Sequence, residues 1–121
     1  MNKAATIARV LLGLAFVIFS LNFWLNFIKI PPLPGNAGTF VGLMYVSGYL
    51  AFVKVIELLG GLAALAGRTT LALLLLGPVV LNILLIDVYL AHAFDPVAFF
   101  LGLLVLFLAW TERARFAAFL K

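Results

Sequence analysis

Lys54 and Glu57 stand three residues apart inside VKVIELLGGLAALAG, residues 53 to 67, a run that carries no other charge. On a helix that spacing places both side chains on one face. Charge is costly in so apolar a setting, and intramembrane carboxylates commonly bind protons or anchor ligands. Two readings of Glu57 therefore stay open: a buried acid neutralised by Lys54 or by asparagine amides, and a proton-binding or ligand-anchoring acid. Asn82 and Asp87 interrupt the next apolar run, and Asn22 and Asn26 interrupt the first. Together Glu57, Lys54, Asn82, Asp87, Asn22 and Asn26 form the candidate ligand-binding set. No catalytic residues emerge, because motifs for nucleophilic catalysis and phosphate binding are missing. One histidine, His92, with two candidate acids is too small a set for a metal centre. The chain has no cysteine, so no thiolate-held cofactor is available to it.

The elements that must position these groups follow from composition. Of 121 residues, 67% are hydrophobic and 10% charged, too little charge to cover a water-facing surface. The expected fold is all-α: a polytopic membrane four-helix bundle forming a single domain, with a short interfacial helix between the first two spans. Spans are expected at about 5–28, 49–67, 71–91 and 97–110, each read against the roughly 20 residues that cross a bilayer. Between the first two lies KIPPLPGNAG, residues 29 to 38, whose prolines and glycines forbid a continuing helix. Residues 39–47 look helical but too short to cross, and Ser47-Gly48 offers a break before the second span. Arg68, Thr69 and Thr70 form a short turn that makes the second and third spans antiparallel. Asp95-Pro96 suits a helix start, and the tail from Thr111 reads as an amphipathic end. A cleaved signal peptide is disfavoured because no small-x-small site follows the first apolar run.

Orientation comes from the cationic flanks. Lys3, Arg9, Arg68, Arg113, Arg115 and Lys121 fall on one side and Lys29 on the other, so both termini are expected in the cytoplasm. The formal charge of +4 is scattered over segment ends, which signals topology and not nucleic-acid binding.

Helical rise converts position into depth. Counted from Tyr49, Lys54 lies about 7 Å and Glu57 about 12 Å into the bilayer. Asn82 falls near the midplane beside Glu57, Asp87 below the outer surface and His92 at it. The inner half is almost wholly apolar, so the polar groups are expected to meet in an outward-open pocket. Within it Lys54 is expected to pair with Asp87, which share a depth, and Asn82 to bond a neutral Glu57. Gly60, Ala64 and Gly67 form a small-residue stripe that allows close helix contact. Gly77-Pro78 is expected to kink the third span.

Residues 53 to 85, VKVIELLGGLAALAGRTTLALLLLGPVVLNILL, resemble the DoxX family of small four-span bacterial membrane proteins. So do RVLLGLAFVIFSLNFW, residues 9 to 24, and GTFVGLMYVSGYL, residues 38 to 50. The resemblance covers nearly the whole chain. It implies the bacterial inner membrane and an association with quinone-linked sulfur oxidation, which makes a quinone one candidate for a cofactor that the sequence leaves unknown. The expected role is an accessory or binding subunit for a hydrophobic carbonyl-bearing ligand, not a stand-alone enzyme. Its partners would be the lipid bilayer and a membrane oxidoreductase or a second copy of the chain. The alternative is a small-molecule or proton-coupled transporter, which the dry inner half disfavours. Many relatives carry a histidine five residues after the asparagine matching Asn82, where this chain has Asp87, so a role for that histidine does not transfer.

Overall fold

The computed structural model describes residues 3–28, 35–92 and 95–119. Among them helix is the only regular structure. Helix α1 covers Lys3–Leu25, α2 Gly35–Ser47, α3 Tyr49–Leu65 and α4 Thr69–Leu85; α4 runs on into a π-helical stretch, Ile86–Ala91. Helix α5 covers Pro96–Thr111 and α6 Arg113–Phe119.

Each boundary has a local cause. Helix α1 stops short of the expected residue 28 because Asn26 enters the left-handed region at φ 51°. The Asn22 side chain then holds the departing backbone: its Nδ2 donates to the Ile28 carbonyl at 3.0 Å and its Oδ1 accepts from the Ile28 amide at 2.7 Å. Helix α2 begins at Gly35, earlier than the expected 39, while residues 29–34 of the expected loop lie outside the described residues. The break at Ser47-Gly48 is present, with Gly48 at φ 84° and α2 bent by 88° from α3. Glycine is required there because the left-handed region is strained for other residues.

Helix α3 closes with a Schellman motif. Gly67, at φ 89°, donates to Ala64 O at 3.2 Å and Arg68 donates to Ala63 O at 2.9 Å. Asp95 caps α5 and Pro96 fills its first turn, as the sequence suggested. Helix α4 continues through Pro78 without interruption. The irregular backbone comes further on, in the π-helical stretch, which nothing in the sequence announced.

Two stretches, Lys3–Leu25 and Thr69–Ala91, are 23 residues each and long and apolar enough to cross a membrane. Helices α2 and α3 would make a third only as one broken span. Helix α5, with 16 residues, is apolar but extends only about 24 Å at helical rise.

Helices α1, α3, α4 and α5 pack in a ring, each touching two others, and α2 lies across α3 and the π-helical stretch. Ala8, Leu12 and Phe16 of α1 meet Leu73, Leu76 and Val80 of α4 and Leu101 and Leu108 of α5. Helix α3 contributes small residues instead. A Cβ on Gly61 would stand 3.0 Å from both Gly13 O and Val17 N, so α1 and α3 touch backbone to backbone. Gly60 is equally closed, with Leu76 Cγ 2.6 Å from where a Cβ would sit. The expected stripe is thus corrected: Gly60 and Ala64 are buried in it, but Gly61 makes the backbone-to-backbone contact with α1, and exposed Gly67 ends the helix.

Outward surfaces carry the larger apolar side chains. Ile7, Leu11, Leu14 and Ile18 form an exposed stripe along α1, and Phe99, Phe100, Leu103 and Leu106 do the same on α5. Large apolar side chains on the outside, with small residues letting α3 approach α1, suit a lipid solvent, where packing and not water exclusion drives helix association.

Candidate functional site

Where α2 turns into α3, the ring opens into a cavity of 510 Å³. Its wall is mainly apolar: Phe16 and Phe19 from α1, Met44 from α2, Val53 from α3, Pro78 and Val79 from α4, and Leu101 from α5. Lys54, Glu57, Asn82, Asp87 and Asp95 supply the charged and amide groups. Four of the six residues proposed from sequence therefore share one cavity. Asn22 and Asn26 are not on its wall. Asn22 is buried and bonded to Ile28, and Asn26 carries the turn that ends α1.

The pairing inside the cavity differs from expectation. Lys54 Nζ stands 3.4 Å from Glu57 Oε1 and Oε2, so the lysine pairs with its helix neighbour and not with Asp87. The reason is local: at i and i+3 the two side chains meet without crossing the cavity. Glu57 is 3% exposed. Asn82 makes no hydrogen bond to Glu57; it lies on the exposed side of the cavity wall. Asp87 Oδ2 is shielded from solvent and has no hydrogen-bond partner among the described residues.

Asp95 is the group the sequence reading did not place in the site. It was visible only as a helix cap, and Oδ1 does accept from the Val97 and Ala98 amides at 3.0 and 3.4 Å. Its second position, beside Asp87 on the cavity wall, depends on how α5 packs against α4, whose π-helical extension carries Asp87. His92 is exposed, holds φ 51° and donates its backbone N–H to Asp87 O, without lining the cavity. No group of three His, Cys, Asp or Glu side chains able to hold a metal exists among the described residues.

At the opposite end of the ring most polar groups are tied to one another, although Thr69 Oγ1 is buried without a hydrogen-bond partner among the described residues. Arg9 Nη1 donates to Ala64 O and, at 3.2 Å, to Leu65 O, the last carbonyls of α3. With the Schellman bonds, every carbonyl from Leu62 to Leu65 is thereby satisfied. Buried Glu112 accepts from Thr70 Oγ1 at 3.3 Å and pairs with Arg115 Nε at 3.2 Å. Arg113 lies 4.2 Å over the Trp110 ring. Arg9 was legible as a topology signal; its partner was not, although an arginine inside an apolar helix must find acceptors.

This arrangement can surround a hydrophobic molecule and offer it both a donor, Lys54, and carboxylate acceptors. No protein-family model, curated protein or solved structure matches the chain.

Proposed function

We propose that the chain is a DoxX-like four-span protein of the bacterial inner membrane, with both termini cytoplasmic, and that it serves as a binding or accessory subunit. Its cavity takes a hydrophobic ligand from the outer side of the membrane. The observation that carries this reading is the cavity itself, large, apolar and furnished with a few convergent polar groups. A carbonyl-bearing lipid such as a quinone would find donors in the Lys54 ammonium and the Asn82 amide. A membrane oxidoreductase as partner comes from the family resemblance alone.

The test uses the full chain purified in a neutral detergent. A short-chain quinone should raise its melting temperature, and Val79→Trp, which fills the cavity, should remove the shift. No shift with any hydrophobic ligand, and no lipophilic molecule in solvent extracts of the native protein, would end the reading. Orientation is checked separately by placing cysteines at Gly35 and Lys121 and treating intact cells with an impermeant thiol reagent. Labelling at Gly35 alone is expected; labelling at Lys121 alone would invert the topology.

Transport is the second reading. The 88° bend between α2 and α3 and the π-helical stretch beside the cavity favour it, since transporters use broken helices at their binding sites. Ligand flux into liposomes containing the purified protein separates it from binding alone.

A further inference from the structure

The end of the ring where α3 turns into α4 carries a second cavity, of 610 Å³. Ala5 at the start of α1, Phe107 and Trp110 near the end of α5, and Glu112, Arg113 and Arg115 at the passage into α6 line it. Two residues apart on a helix, Arg113 and Arg115 would point away from each other. Both line the cavity because each guanidinium is held by a different contact. Arg113 donates from Nη1 to the Trp110 carbonyl at 2.8 Å and lies 4.2 Å over the Trp110 ring, while Arg115 Nε pairs with buried Glu112 at 3.2 Å. A guanidinium carries five N–H donors, so each arginine keeps donors that no described residue accepts, and the Arg115 side chain is 72% exposed. Charge around the cavity is unbalanced: Lys3, Arg9, Arg68, Arg113 and Arg115 lie at this end of the ring, and Glu112 is the one acid there among the described residues. From the cavity an apolar track leads away along α5, where Leu103, Leu106, Phe107 and Trp110, spaced at i, i+3, i+4 and i+7, are all exposed.

We propose that this cavity binds the phosphate of an anionic phospholipid between Arg113 and Arg115, with an acyl chain along Leu103, Leu106 and Phe107. This rests on the reading that the chain spans a membrane, and not on the cavity at the other end of the ring. Arginine suits phosphate because its planar fork donates two parallel, charge-assisted N–H bonds. Trp110 supplies the aromatic surface that the head-group region of a bilayer favours, and its ring holds Arg113 at that level. An anionic head group gains from every cation at this end, whereas a zwitterionic one brings an ammonium that the same cations repel. A nucleic acid or an acidic protein would use the cations and leave the apolar track of α5 without a counterpart.

The test is quenching of tryptophan fluorescence in phosphatidylcholine bilayers that contain a dibrominated phospholipid. Trp24→Phe leaves Trp110 as the single reporter, and Trp110→Phe leaves Trp24, near the far end of α1, as the control. At Trp110, brominated phosphatidylglycerol should bind about fivefold more tightly than brominated phosphatidylcholine with the same acyl chains, and at Trp24 the ratio should stay within about twofold of unity. Arg113→Gln combined with Arg115→Gln should bring the Trp110 ratio within about twofold of unity, while Arg68→Gln, at the same end but off the cavity wall, should leave it above about threefold. A ratio near unity at Trp110 would overturn the proposal. Equal preference at the two tryptophans, or an equal loss from Arg68→Gln, would overturn it too, because either result means diffuse attraction and no built site. Native mass spectrometry of the unaltered chain with equimolar amounts of the two lipids needs no variant to fold, and phosphatidylglycerol adducts no more abundant than phosphatidylcholine adducts would likewise end the proposal. Failure of the chain to insert into bilayers would remove the membrane reading along with it, whereas insertion without lipid preference removes this proposal alone.

Discussion

The two ends of the helix ring treat their polar groups in opposite ways. At the end where α3 turns into α4, Arg9 reaches the carbonyls of Ala64 and Leu65, and Glu112 is held by Thr70 and Arg115. The Arg9 and Thr70 bonds cross between elements far apart in sequence and tie the ring together, while the Arg115 pair is local at i and i+3. At the cavity end, Lys54 and Glu57 meet within one helix, Asp95 caps its own helix, and Asp87 meets no donor. The backbone shows the same contrast. Gly13 and Gly61 bring α1 and α3 into direct contact, while Gly48, His92 and the π-helical stretch break regularity around the cavity. Groups that bond across helices hold a fold; groups left uncommitted in a cavity are available to a ligand. The difference lies in where each polar group finds its partner, because residue types at the two ends are similar.

Substitutions can break or sharpen that contrast. Gly61→Leu should have the largest effect, because a side chain there meets backbone atoms of Gly13 and Val17 that cannot move aside. A loss of about 3 kcal/mol is expected from overpacking, read by denaturant titration in mixed micelles. Arg9→Leu comes next, at about 1.5–3 kcal/mol for charged hydrogen bonds lost at the end of α3. Hydrogen exchange should quicken selectively at Ala66 to Arg68 in this variant; equal stability to the unaltered chain would mean the clasp holds nothing.

Effects at the cavity end should be smaller. Lys54→Ala is expected to cost about 1–2 kcal/mol by leaving Glu57 alone. Adding Glu57→Gln should restore most of it, and rescue by Asp87→Asn instead would show that Lys54 pairs across the cavity after all. Asp87→Asn and Asn82→Leu should each change stability by less than about 0.5 kcal/mol. A large loss from either would place those residues in the clasp class and erase the distinction between the two ends.

Helix class, the break at Ser47-Gly48 and the Asp95-Pro96 start were legible in the sequence, because each depends on residues next to one another along the chain. Apolar runs, left-handed glycine and a capping carboxylate act within a few residues, so spacing alone identifies them. Depth counting also brought Lys54, Glu57, Asn82 and Asp87 within about one helical turn of depth at the outer half of the ring, since helical rise is constant, and all four line the cavity. Rotation about each helix axis is not encoded that way. It is set by which side chains interlock, and so only the packed ring decided that Asn82 lines the cavity without bonding Glu57, that Asn22 closes the end of α1, and that Asp95 joins Asp87 on the cavity wall. The π-helical stretch and the partner of Arg9 belong to the same class. The Arg9 bond joins residues 55 apart in sequence, and no local pattern in this chain announced either feature.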